Sequence, residues 1–179
     1  MLKILGIVLG VIVLVVAGVA AYAAVTQPDT FRVSRSLDIS APPEKIYSIL
    51  SDFHRSPEWS PYEKLDPDMK RTHSGAASGK GAVYAWDGDS NAGAGRMEIV
   101  EATPGQSVTL KLDFTRPFEA TNFVEYKLQP KGSATQVSWD MHGPMPFISK
   151  VMCVFVDLDT MIGKDFETGL ANLKTLAEK

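Results

Sequence analysis

His54, His73 and His142 are the only imidazoles in the chain. None lies two to four residues from another histidine or from a cysteine, the local pairing by which zinc sites announce themselves, so no metal site is expected. Asp52 precedes His54 by two residues, and Asp140 precedes His142 by two. Such a pair can orient a general base. Both pairs also fall near element ends, where the same residue types serve caps and turns. Asp157 and Asp159 point about 200° apart on a helix and make no tight dyad. Asp159 lies close to an apolar stripe. Facing a cavity, its carboxyl would have a raised pKa and could act as an acid. The simpler alternative is a salt bridge to Arg96 or Arg35. Tyr84 and His142 are the other candidates for an acid or a base. Gly75 to Gly81 is like a phosphate loop only superficially, for it lacks the Gly-Lys-Ser/Thr ending and opens no helix. No cofactor is expected.

A second set of residues suits holding rather than reacting. Trp59, Tyr62, Tyr84, Trp86, Tyr126 and Trp139 come from separate elements that could converge on one cavity. Each alone reads as ordinary core. Together, with polar tips on Tyr and Trp, they could orient a ring or an acyl chain. Tyr84 and Trp86 share one strand face; Val83 and Ala85 compete for the inward direction. Asn122 is the polar member of an apolar strand face. It either hydrogen-bonds a ligand carbonyl or marks the solvent end of the strand. Met97, Leu110, Leu112, Phe114 and Met141 on strands, with Phe155, Ile162 and Phe166 on the closing helix, complete the expected ligand lining.

The elements that must position these residues are legible from periodicity. Phe31, Val33, Leu37 and Ile39 alternate with polar residues, with Arg35 the exception on the apolar face, which indicates a half-buried strand. Ser40-Ala41-Pro42-Pro43-Glu44 reads as a helix start, and Ile46, Tyr47, Ile49, Leu50 and Phe53 follow at helical spacing. Two prolines make 56–62 a loop or a short helical turn. From Met69 to His142 the chain reads as strands on short turns, an antiparallel meander. The clearest is Val108, Leu110, Leu112 and Phe114. After Pro146 one long helical pattern runs to the C-terminus, with Gly163 and Gly169 as interruptions that bend it. Val151–Val156 is apolar all round. Either it is covered on both sides, the favoured reading, or it touches a membrane surface or a lipid.

Ile39-Ser40-Ala41-Pro42-Pro43-Glu44-Lys45-Ile46-Tyr47, Trp59-Ser60-Pro61-Tyr62, Gly79-Lys80-Gly81-Ala82-Val83-Tyr84-Ala85-Trp86, Gly95-Arg96-Met97-Glu98-Ile99 and the closing Gly163-Lys164-Asp165-Phe166 and Gly169–Leu173 carry a resemblance. Residues 31–179 resemble the START-like, SRPBCC or helix-grip superfamily, which includes the Bet v 1 allergens and bacterial polyketide cyclase/dehydrase-like proteins. The resemblance implies an α+β fold in which an antiparallel sheet wraps a long C-terminal helix. It implies no defined catalytic set, because the superfamily holds carriers, cyclases, oxygenase subunits and regulators.

Ile4–Val25 is a run of 22 residues without a charge, and 19 of them are apolar. As a helix it spans about 33 Å, enough to cross a hydrocarbon core. Residues 1–25 are therefore expected to be a single-pass signal anchor, with cleavage after Ala21-Tyr22-Ala23 as the alternative. Residues 26–30 form a short linker. The domain is expected outside the cytoplasm, in the periplasm if the source is bacterial. Eighteen basic against 21 acidic residues exclude a large basic field, so nucleic acid is no expected partner. One cysteine, Cys153, excludes a disulfide framework. The leading expectation is a membrane-anchored binding protein for a hydrophobic small molecule or lipid, in a cavity between sheet and C-terminal helix. The alternatives are a cyclase or dehydratase acting on a polyketide-like substrate, and a ligand-free protein-interaction module at the membrane.

Overall fold

The computed structural model describes residues 2–179. Helix α1 (Leu2–Thr26) leads into strand β1 (Thr30–Ile39) and helix α2 (Pro43–Leu50). A short helical turn at Phe53–Arg55, helix α3 (Ser56–Trp59) and a second turn at Pro61–Lys64 follow. Six strands come next: β2 (Lys70–Gly75), β3 (Ala82–Asp87), β4 (Ala94–Thr103), β5 (Ser107–Arg116), β6 (Ala120–Lys131) and β7 (Ala134–Pro144). Helices α4 (Phe147–Cys153) and α5 (Leu158–Ala177) close the chain.

All strand pairs are antiparallel, in the order β1-β7-β6-β5-β4-β3-β2, so β2 to β7 form a meander and β1 returns beside the last strand. Period two gives each strand an inner and an outer face. Val108, Leu110 and Leu112 of β5, Val124, Tyr126 and Leu128 of β6, and Val137, Trp139 and Met141 of β7 are buried on the inner face. Register shifts in β4, at Ala94/Gly95 and between Ile99 and Glu101, mark bulges. Bulges of this kind bend a sheet and let it curl round a helix.

Helix α5 lies across the inner face beside β1, with Phe166, Leu170, Leu173 and Ala177 in the core. Gly163 and Gly169 do not break it. They are positions of close approach: a Cβ at 163 would lie 1.9 Å from Arg35 Nη2, and one at 169 would lie 2.5 Å from the Trp139 ring. The break comes earlier than the glycines and splits the expected single helix into α4 and α5. Asp157 is the N-cap of a new helix; its side chain accepts from the Thr160 N–H at 3.2 Å and the Thr160 hydroxyl at 2.7 Å. Helix α2 ends at Leu50, and Phe53 reaches the core from the short turn that follows.

Gly6–Thr26 of α1 is long and apolar enough to cross a membrane, with mean hydropathy 2.7. The described side chains of this span are almost all exposed; Ala23, near its C-terminal end, is buried, and α1 contacts α4. Among the described residues the hydrophobic core is built from residues after 30.

Candidate ligand site beneath the C-terminal helix

Tyr126 and Trp139 are register partners on β6 and β7, with ring centroids 5.2 Å apart. Trp59 arrives from α3 and meets both edge-on, at 6.0 Å from Tyr126 and 5.4 Å from Trp139. Phe166 of α5 stacks on Trp139 at 4.2 Å and 11°. Tyr62 closes over Trp139 at 6.4 Å. Burial pushes the Tyr126 hydroxyl well above its ordinary pKa, and desolvation raises Tyr62 as well although the residue is 36% exposed, so both stay neutral. The rings seal this part of the helix–sheet contact. The rings fill the space where the hollow is expected, and the open grooves lie along β1 instead.

Three buried polar side-chain atoms lack a hydrogen-bond partner among the described residues: Trp59 Nε1, Trp139 Nε1 and Asn122 Oδ1. Each such atom costs about 1–3 kcal/mol, so natural domains carry few. Asn122 stands four residues from Tyr126, about 13 Å along β6. It faces Gly143 of β7, and a Cβ at 143 would lie only 2.0 Å from its Oδ1. The carboxamide thus fills the space of the missing side chain and leans over β7 toward Phe31, the register partner of Gly143.

Phe31 also lines an open groove of about 550 Å³. One wall is the start of β1, including Val33; the other is the α4–α5 link from Cys153 to Asp159, with Met145 at one end. A second groove, of about 420 Å³, carries the charged Arg32, Glu125 and Lys127 beside His142. Gln27, Thr30, Arg32, Asp157 and Asp159 give the first groove a polar edge beside its apolar walls.

Phe155 and Asp159 of the expected lining border the apolar groove. Trp59, Tyr84, Leu110, Leu112, Tyr126, Trp139, Met141 and Phe166 belong to the core, and Trp86, Met97, Phe114 and Ile162 pack partly buried against it. Tyr84 and Trp86 take the inner face, stacked at 6.2 Å, and the Trp86 indole donates to the Ala92 carbonyl at 3.0 Å.

The three acid or base candidates are otherwise engaged. His142 points to the outer face and stacks on Phe123 at 5.9 Å. Tyr84 donates to Glu63 Oε1 at 2.7 Å, while Arg71 Nε donates to Glu63 Oε2 at 2.7 Å. Asp159 is exposed and paired with Arg35 at 2.8 Å, and Arg35 also holds Glu167 at 2.9 Å. The hydrogen bond from Arg35 holds the Asp159 carboxyl below the ordinary range, the reverse of a buried acid. Arg96, the other suggested partner, pairs with Glu98. Asp52 accepts from the His54 backbone N–H and contacts its Nδ1 at 3.0 Å, a turn cap. Among the described residues no three of His, Cys, Asp and Glu gather as a metal site.

The Asp159 shift has a sign that can be checked. A depressed carboxyl contributes stability above its unfolded pKa of about 4 and loses it as pH falls through the folded value. Wild type is therefore expected to melt above Asp159→Asn at pH 7, and the gap should close below about pH 4. Calorimetry across that range checks it; a gap that persists in acid would rule out the Arg35 pairing as its source.

The family model described as polyketide cyclase / dehydrase and lipid transport matches residues 30–178. The chain belongs to this family. Solved structures share the fold at low identity. Ginseng major latex-like protein 151 from Panax ginseng is 14% identical, with TM-score 0.57, covering 85% of this chain and 100% of its own. Protein CV1439 from Chromobacterium violaceum is 18% identical, with TM-score 0.57, covering 85% and 99%. The di-domain ARO/CYC StfQ of the steffimycin biosynthetic pathway is 12% identical, with TM-score 0.63, covering 83% of this chain and 51% of its own. None of the curated proteins matches the sequence. The polyketide cyclase / dehydrase family thus brings the helix-grip architecture, and the function rests on the site.

Proposed function

We propose that this protein is a membrane-anchored carrier that holds a hydrophobic small molecule, a lipid or an aromatic polyketide-like compound, between β1, the α4–α5 link and the inner face of the sheet. α1 is the anchor, and the domain stands on the extracytoplasmic side, as a domain following an N-terminal anchor normally does. The observation that carries the reading is the open groove of about 550 Å³ between β1 and the α4–α5 link, whose walls Phe31, Val33, Val154, Phe155 and Val156 suit a greasy body while Arg32, Asp157 and Asp159 at its edges suit a polar end. The family description, which includes lipid transport, and the ARO/CYC relative point to the same ligand class. A cyclase would need a free acid or base facing the guest; Asp159 borders the groove but is held by Arg35, while Tyr84 and His142 lie outside its lining.

Residues 27–179, purified from cells, should carry a hydrophobic species in native mass spectrometry. Phe155→Ala removes an exposed wall of the groove and should weaken its retention about tenfold, while leaving the melting temperature of the empty domain nearly unchanged. No bound species and no uptake of a fluorescent fatty acid would end the proposal.

A further inference from the structure

The stretch Phe147–Val156 contains a single charged residue, Lys150, and its ammonium is paired with Asp29. Around that pair Phe147 (55% exposed), Ile148 (51%), Met152 (51%), Phe155 (73%) and Val156 (40%) face outward, and Met161 in the first turns of α5 continues the patch at 51%. The expectation that 151–156 is covered on both sides therefore fails. Elsewhere outside α1 the large exposed apolar side chains, Tyr62, Leu65, Phe118 and Phe123, are scattered. Scattered residues need no explanation, whereas a contiguous patch does.

Two features say what covers it. α1 packs against α4, and its buried residue, Ala23, lies one turn from the end of the apolar helix at Thr26. One turn is about 5 Å of rise, and an interfacial helix buries its apolar face about 5–10 Å into the headgroup boundary. If α1 crosses a bilayer, α4 sits at that depth. The same segment, from Cys153 to Val156, forms a wall of the apolar groove.

We propose that α4 and the link to α5 lie in the interface of the bilayer that α1 spans, so that the groove opens onto lipid and its guest enters from the adjoining leaflet. This rests on α1 being a membrane span. The occupant of the patch is a phospholipid surface. The patch has no unpaired cation, so insertion is hydrophobic and needs no anionic lipid.

The full chain, in a Cys153→Ser background, is reconstituted into phosphatidylcholine vesicles with nitroxides at Val13→Cys, Met152→Cys, Phe155→Cys or Ser133→Cys. Val13 reports on α1, and Ser133 lies at the β6–β7 turn, at the opposite end of β7 from α4. The ratio of oxygen to nickel-chelate accessibility is expected to be several-fold higher at 13, 152 and 155 than at 133. A watery Val13 would overturn the anchor itself. A lipid-exposed Val13 with watery 152 and 155 would overturn this inference alone, leaving the anchor. Labels at 152 and 155 shielded from both reagents would mean a protein contact and would overturn it too. As a second readout, Ile148→Asp with Met152→Asp changes only exposed positions outside the groove and should slow transfer of a fluorescent fatty acid out of vesicles several-fold; an unchanged rate would count against lipid entry by this route.

Discussion

Trp139→Ala is expected to destabilise residues 27–179 by about 3–5 kcal/mol, read as a shift of the urea midpoint. The upper part of that range applies because the ring has no room to be replaced by movement of its neighbours. Phe166 stacks on it from α5, Trp59 and Tyr126 meet it from two sides, and Gly169 is bare so that α5 can lie against it. A domain of this size holds about 5–15 kcal/mol in total, so the loss leaves it close to unfolding. Trp139→Phe keeps the stack on Phe166 and should cost only about 1–2 kcal/mol, since the Nε1 it deletes has no acceptor among the described residues. The pair separates packing from polarity. If Trp139→Ala cost less than about 1 kcal/mol, the helix would not be sealed on the sheet at this ring.

The same ring shows what a sequence reading reaches. Alternation placed Tyr126 and Trp139 inward and singled out Arg35 as the polar intruder on its strand, because period two is local and needs no partner to be seen. Asn122 stood out for the same reason. What gives its carboxamide room, the bare Gly143 across the ladder, depends on strand register and is invisible in one dimension. The split between α4 and α5 was legible in principle: Asp157 three residues before Thr160 is a cap, and the apolar stripe running through it hid the signal. The exposure of 151–156 was not legible, because an all-apolar segment reads alike whether it is covered by protein or by lipid. Glu63 was missed altogether. It lies in a polar, proline-flanked loop, and its burial is caused by Arg71, eight residues on, and Tyr84, twenty-one on.

That hidden carboxylate supports the second large effect. Arg71→Met is expected to cost about 2–3 kcal/mol. The Glu63 side chain is 7% exposed, and Arg71 holds it twice, Nε to Oε2 at 2.7 Å and Nη2 to its carbonyl at 2.9 Å. Without the guanidinium, only the Tyr84 hydroxyl at Oε1 remains for a charge out of water. Removing one partner of a fully buried pair costs about 3–5 kcal/mol; Arg71 is a quarter exposed, so water can reach the vacated side and trims the loss. Because the cost is the stranded charge and not the lost attraction, removing the charge as well should restore stability. Arg71→Met combined with Glu63→Leu and Tyr84→Phe is expected to recover most of the deficit. Costs that simply add to within about 0.5 kcal/mol would show that the three side chains do not act together. The consequence reaches the aromatic cluster. The turn Pro61–Lys64 carries Tyr62 over Trp139, and the Glu63 network pins that turn to β2 and β3. Arg71→Met should therefore loosen the cover of Trp139, whereas the triple replacement should restore it.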